Sequence, residues 1–120
     1  MARIGTILVA DDNVVNRMML SRQLQADGHT VITASDGRET LAALRRETVD
    51  LVLLDLIMPE MDGIEVLQRI KADARLQDIP VIVISGVDEI DDIVTCIEAG
   101  AEDYLHKPFN AVLLRARLQA

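Results

Sequence analysis

Five polar residues stand where apolar runs of this 120-residue chain end, and together they make a chemically specific set. Asp11 and Asp12 follow the run Thr6–Ala10. Asp55 closes Asp50–Asp55, Ser85 closes Pro80–Ser85, and Lys107 follows Asp103–His106. Three carboxylates, one hydroxyl and one of only two lysines suit the handling of a phosphoryl group. A carboxylate can attack phosphorus and carry an acyl phosphate. A lysine and a divalent cation neutralise phosphoryl oxygens, and a hydroxyl adds a hydrogen bond. Taken singly, each residue reads as a helix cap or loop residue, because Asp and Ser are common in both roles. The chemistry requires that the chain bring all five together.

The elements that would do so follow from apolar periodicity. Thr6–Ala10, Thr30–Ala34, Asp50–Asp55, Pro80–Ser85 and Asp103–His106 read as strands. Between them lie helical spacings: Leu20 and Leu24; Leu41 and Leu44; Ile64, Leu67 and Ile70; then Ile90, Ile93, Val94 and Ile97 at i, i+3, i+4, i+7. A fifth helix, Asn110–Gln119, closes the chain. Asp36-Gly37 and Asp62-Gly63 open helices, and Gly100 follows the fourth as a C′ glycine. This is a strand–helix unit repeated five times, with no low-complexity stretch between units.

Such alternation predicts an α/β fold, a doubly wound five-stranded parallel sheet with helices on both faces. Leu51–Leu54, Val81–Ile84 and Ile7–Val9 are apolar throughout, as central strands buried on both faces should be. Thr30–Thr33 and Tyr104–His106 are more polar and read as edges. Strand order 2-1-3-4-5, the flavodoxin-like (βα)5 arrangement, satisfies this; order 3-2-1-4-5 would put the apolar third strand at an edge.

Ligands of open parallel sheets bind outside the carboxyl ends of the strands. That rim is where Asp11, Asp12, Asp55, Ser85 and Lys107 fall. Carboxylates about 4 Å apart repel by ~4 kcal/mol per pair at an effective dielectric near 20. Domain stability is only about 5–15 kcal/mol, so the cluster implies a bound cation, with Lys107 as an internal counter-charge. An all-oxygen donor set favours Mg2+ or Mn2+ over Zn2+. His106 alternates away from Lys107. Asp55, at the end of a central strand, is the best-placed nucleophile.

Composition narrows the function classes. Half of the residues are apolar and 27% are charged, which is ordinary for a folded domain. The net charge of −8 argues against direct nucleic-acid binding, which needs a basic face. Apolar runs of four to six residues exclude a membrane span. The single Cys96 allows no intramolecular disulfide and fits a reducing, cytoplasmic setting.

The segments Leu8–Asn13, Asp55–Gly63, Pro80–Gly86 and Asp103–Phe109 resemble those of response-regulator receiver domains of two-component signalling, CheY-like phosphoacceptor domains. The resemblance covers essentially the whole chain, and the combination of segments is highly specific. The run Asp12–Arg17 further resembles receivers of hybrid kinases and multidomain regulators. The resemblance implies a phosphorylation-dependent switch. Asp55 would accept the phosphoryl group from the phosphohistidine of a histidine kinase or phosphotransfer protein. Asp12, Asp55 and the backbone carbonyl of Ile57 would bind Mg2+ (or Mn2+), with Asp11 acting mostly through water. Lys107 would pair with Asp55 and then with the phosphoryl group. Ser85, in place of the commoner Thr, would hydrogen-bond a phosphoryl oxygen, and Tyr104 would swing inward as Ser85 moves. Gly86 fits a position that keeps access to Asp55 open. Ile57 and Val87 would flank the attacking water and, being apolar, prolong the phosphorylated state. The Lys107–Pro108 peptide is expected to be cis.

Phosphorylation would shift the face formed by the fourth helix, fifth strand and fifth helix, controlling an output domain or partner. A weak homodimer through that face is expected, with Asp103 and Arg117 as an inter-subunit pair. Residues 1–120 read as one receiver domain, expected to be excised from a larger multidomain regulator whose effector lies elsewhere. Such a domain catalyses its own phosphorylation and dephosphorylation without being a conventional turnover enzyme. A haloacid-dehalogenase-like phosphohydrolase would want an acidic residue where Ile57 stands. A flavodoxin-like redox protein would want a hydroxyl-rich loop after the first strand, where Asp11-Asp12 stand.

Among the remaining residues, Cys96 reads as structural and His29 as a solvated loop residue. Met18 and Met19 read as packing or partner-facing surface. The acidic run Asp88–Asp92 reads as a solvated helix start.

Overall fold

A computed structural model describes residues 5–86, 90–107 and 110–119. Its strands are β1 (Thr6–Ala10), β2 (Thr30–Ala34), β3 (Leu51–Leu54), β4 (Val81–Ser85) and β5 (Asp103–His106). Its helices are α1 (Val14–Ala26), α2 (Gly37–Arg46), α3 (Gly63–Ala72), α4 (Ile90–Glu98) and α5 (Ala111–Gln119). All strand pairs are parallel and the order is β2-β1-β3-β4-β5, as expected from strand composition. β3 and β4 are slightly shorter than the sequence reading. Asp50 leaves the strand to accept the Thr6 N–H through Oδ2 at 2.8 Å. Asp55 keeps one rung, its N–H donating to the Ala10 carbonyl at 2.9 Å.

The period-2 alternation of strand side chains builds two cores. Leu8, Val52, Leu54, Val81 and Val83 face α2, α3 and α4, meeting Leu41, Leu44, Val66, Leu67, Ile70 and Cys96. Ile7, Val9, Leu53, Ile82 and Ile84 face α1 and α5, meeting Leu20, Leu24 and Leu114. Asp36 and Asp62 cap α2 and α3, accepting the N–H groups of Glu39 and Glu65. Gly100 takes φ +108 after α4, and its N–H donates to the Ile97 carbonyl, as a terminating glycine should.

One expectation is corrected, that for His29, and two details are added. The α4 stripe Ile90, Val94 and Ile97 is a true helical repeat, but those side chains are 74%, 45% and 47% exposed, and the buried residue of the helix is Cys96. The spacing marks the helix, and Cys96, read as structural, is the residue it buries against the sheet. His29 is half-buried, and its Nδ1 accepts the Gly5 N–H at 3.3 Å, so it ties the start of β1 to that of β2. Asp103 and Arg117 pair within one chain, Nε to Oδ2 at 3.1 Å. Arg115 likewise engages Asp27 of the α1 terminus through two contacts of 3.3 Å.

Candidate phosphoacceptor site

Parallel strands deliver their last residues to one rim, and the staggered ends of β1 and β3 set Asp11, Asp12 and Asp55 side by side. Each offers a carboxylate oxygen, and these lie within 4.8 Å of one another. Asp11 and Asp55 are buried and Asp12 is exposed, so the cluster opens to solvent on one side. Lys107 reaches in from the end of β5, its Nζ 2.8 Å from Asp11 Oδ2 and 2.9 Å from Asp55 Oδ2. Its own N–H donates to the Ser85 carbonyl at 2.9 Å, which extends the β4–β5 pairing by one rung. Ser85 is fully buried at the end of β4.

The electrostatics follow from two carboxylates and one ammonium in a half-dry pocket. Burial pushes the Asp55 carboxyl above its ordinary value, against the pull of Lys107. Burial alone would lower Lys107, but its hydrogen bonds to Asp11 and Asp55 prevail and hold the ammonium above its ordinary value. An all-oxygen, net-negative cluster with one open side fits a small hard cation. Lys107 engages one oxygen of Asp11 and one of Asp55, which leaves Asp12 the freest ligand of the three.

The segment after Asp55 is closely braced. The Ile57 N–H donates to Asp55 Oδ1 at 3.3 Å, while the Ile57 side chain is 64% exposed. Met58 is buried beneath it. Glu60 has φ +68 at the centre of a γ-turn closed by the Met61 N–H on the Pro59 carbonyl at 2.8 Å. The Gly63 N–H donates to the Leu56 carbonyl at 2.7 Å. A Cβ at Gly63 would lie 2.3 Å from the Asp55 carbonyl oxygen and 2.6 Å from Leu56 Cα. Gly63 therefore lets the start of α3 touch the backbone of the Asp55–Leu56 segment. Its sequence signal, Asp-Gly before a helical period, was legible as a helix start and not as this contact.

Gly86 is exposed, and a Cβ there would meet nothing within 4 Å. Tyr104 is half-buried on β5, packs against the α2–α3–α4 core and meets His106 edge-on at 5.3 Å. Val87 and Pro108 lie outside the described residues, and with them the lifetime role given to Val87 and the Lys107–Pro108 peptide. Arg17, part of a quoted motif but given no role, donates from Nη1 to the Asp11 carbonyl at 2.7 Å. The second lysine, Lys71, is engaged elsewhere, donating to the carbonyls of Gln77 and Ile79.

The sequence model of the response regulator receiver domain matches residues 7–119. The chain belongs to that family. Receiver domains are phosphorylation-dependent signalling modules of two-component systems, and the family typically uses Mg2+. Its response regulators interact with histidine kinases and effector domains. This receiver is 40% identical over 114 residues to a protein named probable transcriptional regulator ycf27 from Guillardia theta, covering 95% of this chain and 44% of that protein. It is also 40% identical to response regulator PleD of Caulobacter vibrioides, covering 95% of this chain and 25% of PleD. The chain thus spans less than half the length of these curated relatives. The Vibrio cholerae chemotaxis protein CheY4 superposes with a TM-score of 0.91 at 31% identity, over 98% of both chains. No described helix is long and apolar enough to cross a membrane.

Proposed function

We propose that Asp55 is the phosphoacceptor of this receiver and that Lys107, Ser85 and the Asp11–Asp12–Asp55 cluster serve its phosphorylation. The observation that carries this reading is the Lys107 ammonium, 2.9 Å from one Asp55 oxygen inside a three-carboxylate cluster. An Asp55 oxygen attacks phosphorus of a phosphohistidine, the P–N bond breaks, and the imidazole leaves with the electron pair. Lys107 then turns from Asp55 to the new phosphoryl oxygens, and Ser85 donates its hydroxyl to another. Asp12, Asp55 and the Ile57 carbonyl would hold Mg2+ or Mn2+, with Asp11 acting through water. The cation supplies charge neutralisation of the transferring phosphoryl group. Ile57 would crowd the approach of hydrolytic water, and Gly86 leaves the donor's approach open.

The donor is a histidine kinase or phosphotransfer protein. A cavity of about 550 Å3 between α1 and α5, lined by Asn16, Met19, Gln23 and Lys107, opens beside the site for such a partner. Exposed Val15, Met18 and Met19 extend an apolar surface along α1. On the output side, Ile90, Val94 and Ile97 of α4 and Val112 and Leu113 of α5 expose apolar surface that an effector or a second copy would cover. Ser85 and Tyr104 connect the phosphoryl group to that face. We place the domain in the cytoplasm as the regulatory part of a longer protein, in line with the lengths of its relatives.

The test is intact-mass analysis after incubation with acetyl phosphate. The wild type should gain one phosphoryl group only when a divalent cation is present. An Mg2+-dependent gain in Asp55→Asn would overturn the assignment.

A further inference from the structure

We propose that Arg17 is a positioning residue for the divalent-cation site, fixing the Asp11–Asp12 peptide so that the Asp12 carboxylate faces the cluster. This rests on the cation reading above. Three observations carry it. The first is contact: Arg17 lies in the opening turn of α1, where its N–H donates to the Asn13 carbonyl at 3.0 Å. Helical side chains lean toward the N-terminus. The Arg17 guanidinium accordingly reaches back across that turn, and Nη1 donates to the Asp11 carbonyl at 2.7 Å.

The second is placement. A cation near a helix N-terminus opposes the helix dipole. α1 has no acidic residue in its first turn, whereas α2 has Glu39 and α3 has Glu65. Local helix electrostatics therefore disfavour Arg17 where it stands, and its compensating contact is with the acidic loop.

The third is that the remaining polar groups of Asp11 are already committed. Its N–H donates to the Ala34 carbonyl at 3.1 Å, Oδ1 accepts the Asn13 N–H at 2.9 Å, and Oδ2 accepts Lys107 at 2.8 Å. The Asp11 carbonyl belongs to the peptide plane that leads into Asp12. The Asp12 carboxylate has no hydrogen-bond partner among the described residues, so its direction depends on that plane. Arg17 is the group that holds it.

The experiment is calorimetric titration of the chain with MgCl2 alone, on wild type, Arg17→Met and Arg17→Lys, with circular dichroism and melting recorded for each. Removing a group that orients a metal ligand typically weakens the metal by about 10–100-fold, and Arg17→Met should lose Mg2+ affinity by at least about tenfold. Arg17→Lys, which keeps a charged donor, should stay within about threefold of wild type. Unchanged Mg2+ affinity in Arg17→Met with only a lower melting temperature would reduce Arg17 to a structural tie and overturn the proposal. Tighter binding in Arg17→Met would overturn it too, because Arg17 would then act as a repelling charge. A wild type that binds no Mg2+ overturns the cation reading itself, and the proposal falls with it.

Discussion

Asp11 and Asp55 share one ammonium: Lys107 Nζ stands 2.8 Å from an oxygen of the first and 2.9 Å from an oxygen of the second. Neither pair is complete by itself, since one positive charge faces two buried carboxylates. This arrangement holds the Asp55 carboxylate in place and leaves the pocket short of a cation.

The first prediction concerns stability without metal. Burial raises the Asp55 carboxyl in the folded state. Its contribution to stability is therefore full below the unfolded-state value of about 3.9 and is lost as pH rises through the higher folded value. At neutral pH the wild type carries a charge that folding disfavours. Metal-free Asp55→Asn should melt above wild type at pH 7, with the gap closing toward pH 3. Saturating Mg2+ should reverse that order, because a ligand at about 100 times its Kd adds about 2.7 kcal/mol to the form that binds it. Differential scanning calorimetry across pH reads both effects.

A methyl group separates two glycines of the site. Gly63→Ala places Cβ on the Asp55 carbonyl, and overpacking of this kind costs about 1–3 kcal/mol. Urea denaturation should show that loss, and phosphorylation by acetyl phosphate should slow because the Asp55 segment must shift. Gly86→Ala meets open space and should change stability by less than about 0.5 kcal/mol. Equal stability losses in the two variants would refute the role given to Gly63.

Signal lifetime is the third expectation. Ile57 is exposed beside Asp55, the proposed phosphoacceptor, and its apolar side chain cannot orient a water. A side chain that positions water without acting as a full base accelerates hydrolysis by less than the ~10²–10⁴-fold of general-base catalysis. Ile57→Asn and Val87→Glu should each speed loss of the aspartyl phosphate by about tenfold, or about 1.4 kcal/mol of barrier. Phosphate release after removal of the donor measures this, and unchanged decay in both variants would acquit these side chains.

On the exposed apolar face of α4, Ile97→Lys should leave monomer stability within about 0.5 kcal/mol, because the side chain is already half in water. Sedimentation of the wild type with a phosphoryl mimic should show a weak dimer that the variant lacks. Asp103→Asn should weaken that dimer little, because Asp103 is paired with Arg117 inside its own chain. Exposed pairs of this kind contribute only about 0–1 kcal/mol.

Strand order, both Asp caps, the Gly100 terminus and the convergence of Asp11, Asp12, Asp55 and Lys107 were legible because each leaves a local mark in residue type or spacing. What escaped was decided by partners far away in sequence. Nothing around Gly63 announces that the Asp55 carbonyl will occupy the space a Cβ would need. The spacing of Ile90, Val94 and Ile97 marked α4 as a helix without saying which face is buried, and packing selected Cys96. His29 looked solvated because its partner, the Gly5 N–H just before β1, is 24 residues away in sequence. The role of Arg17 was invisible for the same reason, since a run of residues does not say which carbonyl a guanidinium will find.

The parallel sheet is one strand-layer thick, and its two cores do not mix: Leu24 belongs to one and Leu67 to the other. Substitutions without shared partners combine additively. Mutations on the α1–α5 side and on the α2–α3–α4 side can therefore accumulate as separate histories, each face drifting without forcing a compensating change on the other. The rim where β1, β3 and β5 end is different, because Asp11, Asp55 and Lys107 come from three strands and must change together or not at all.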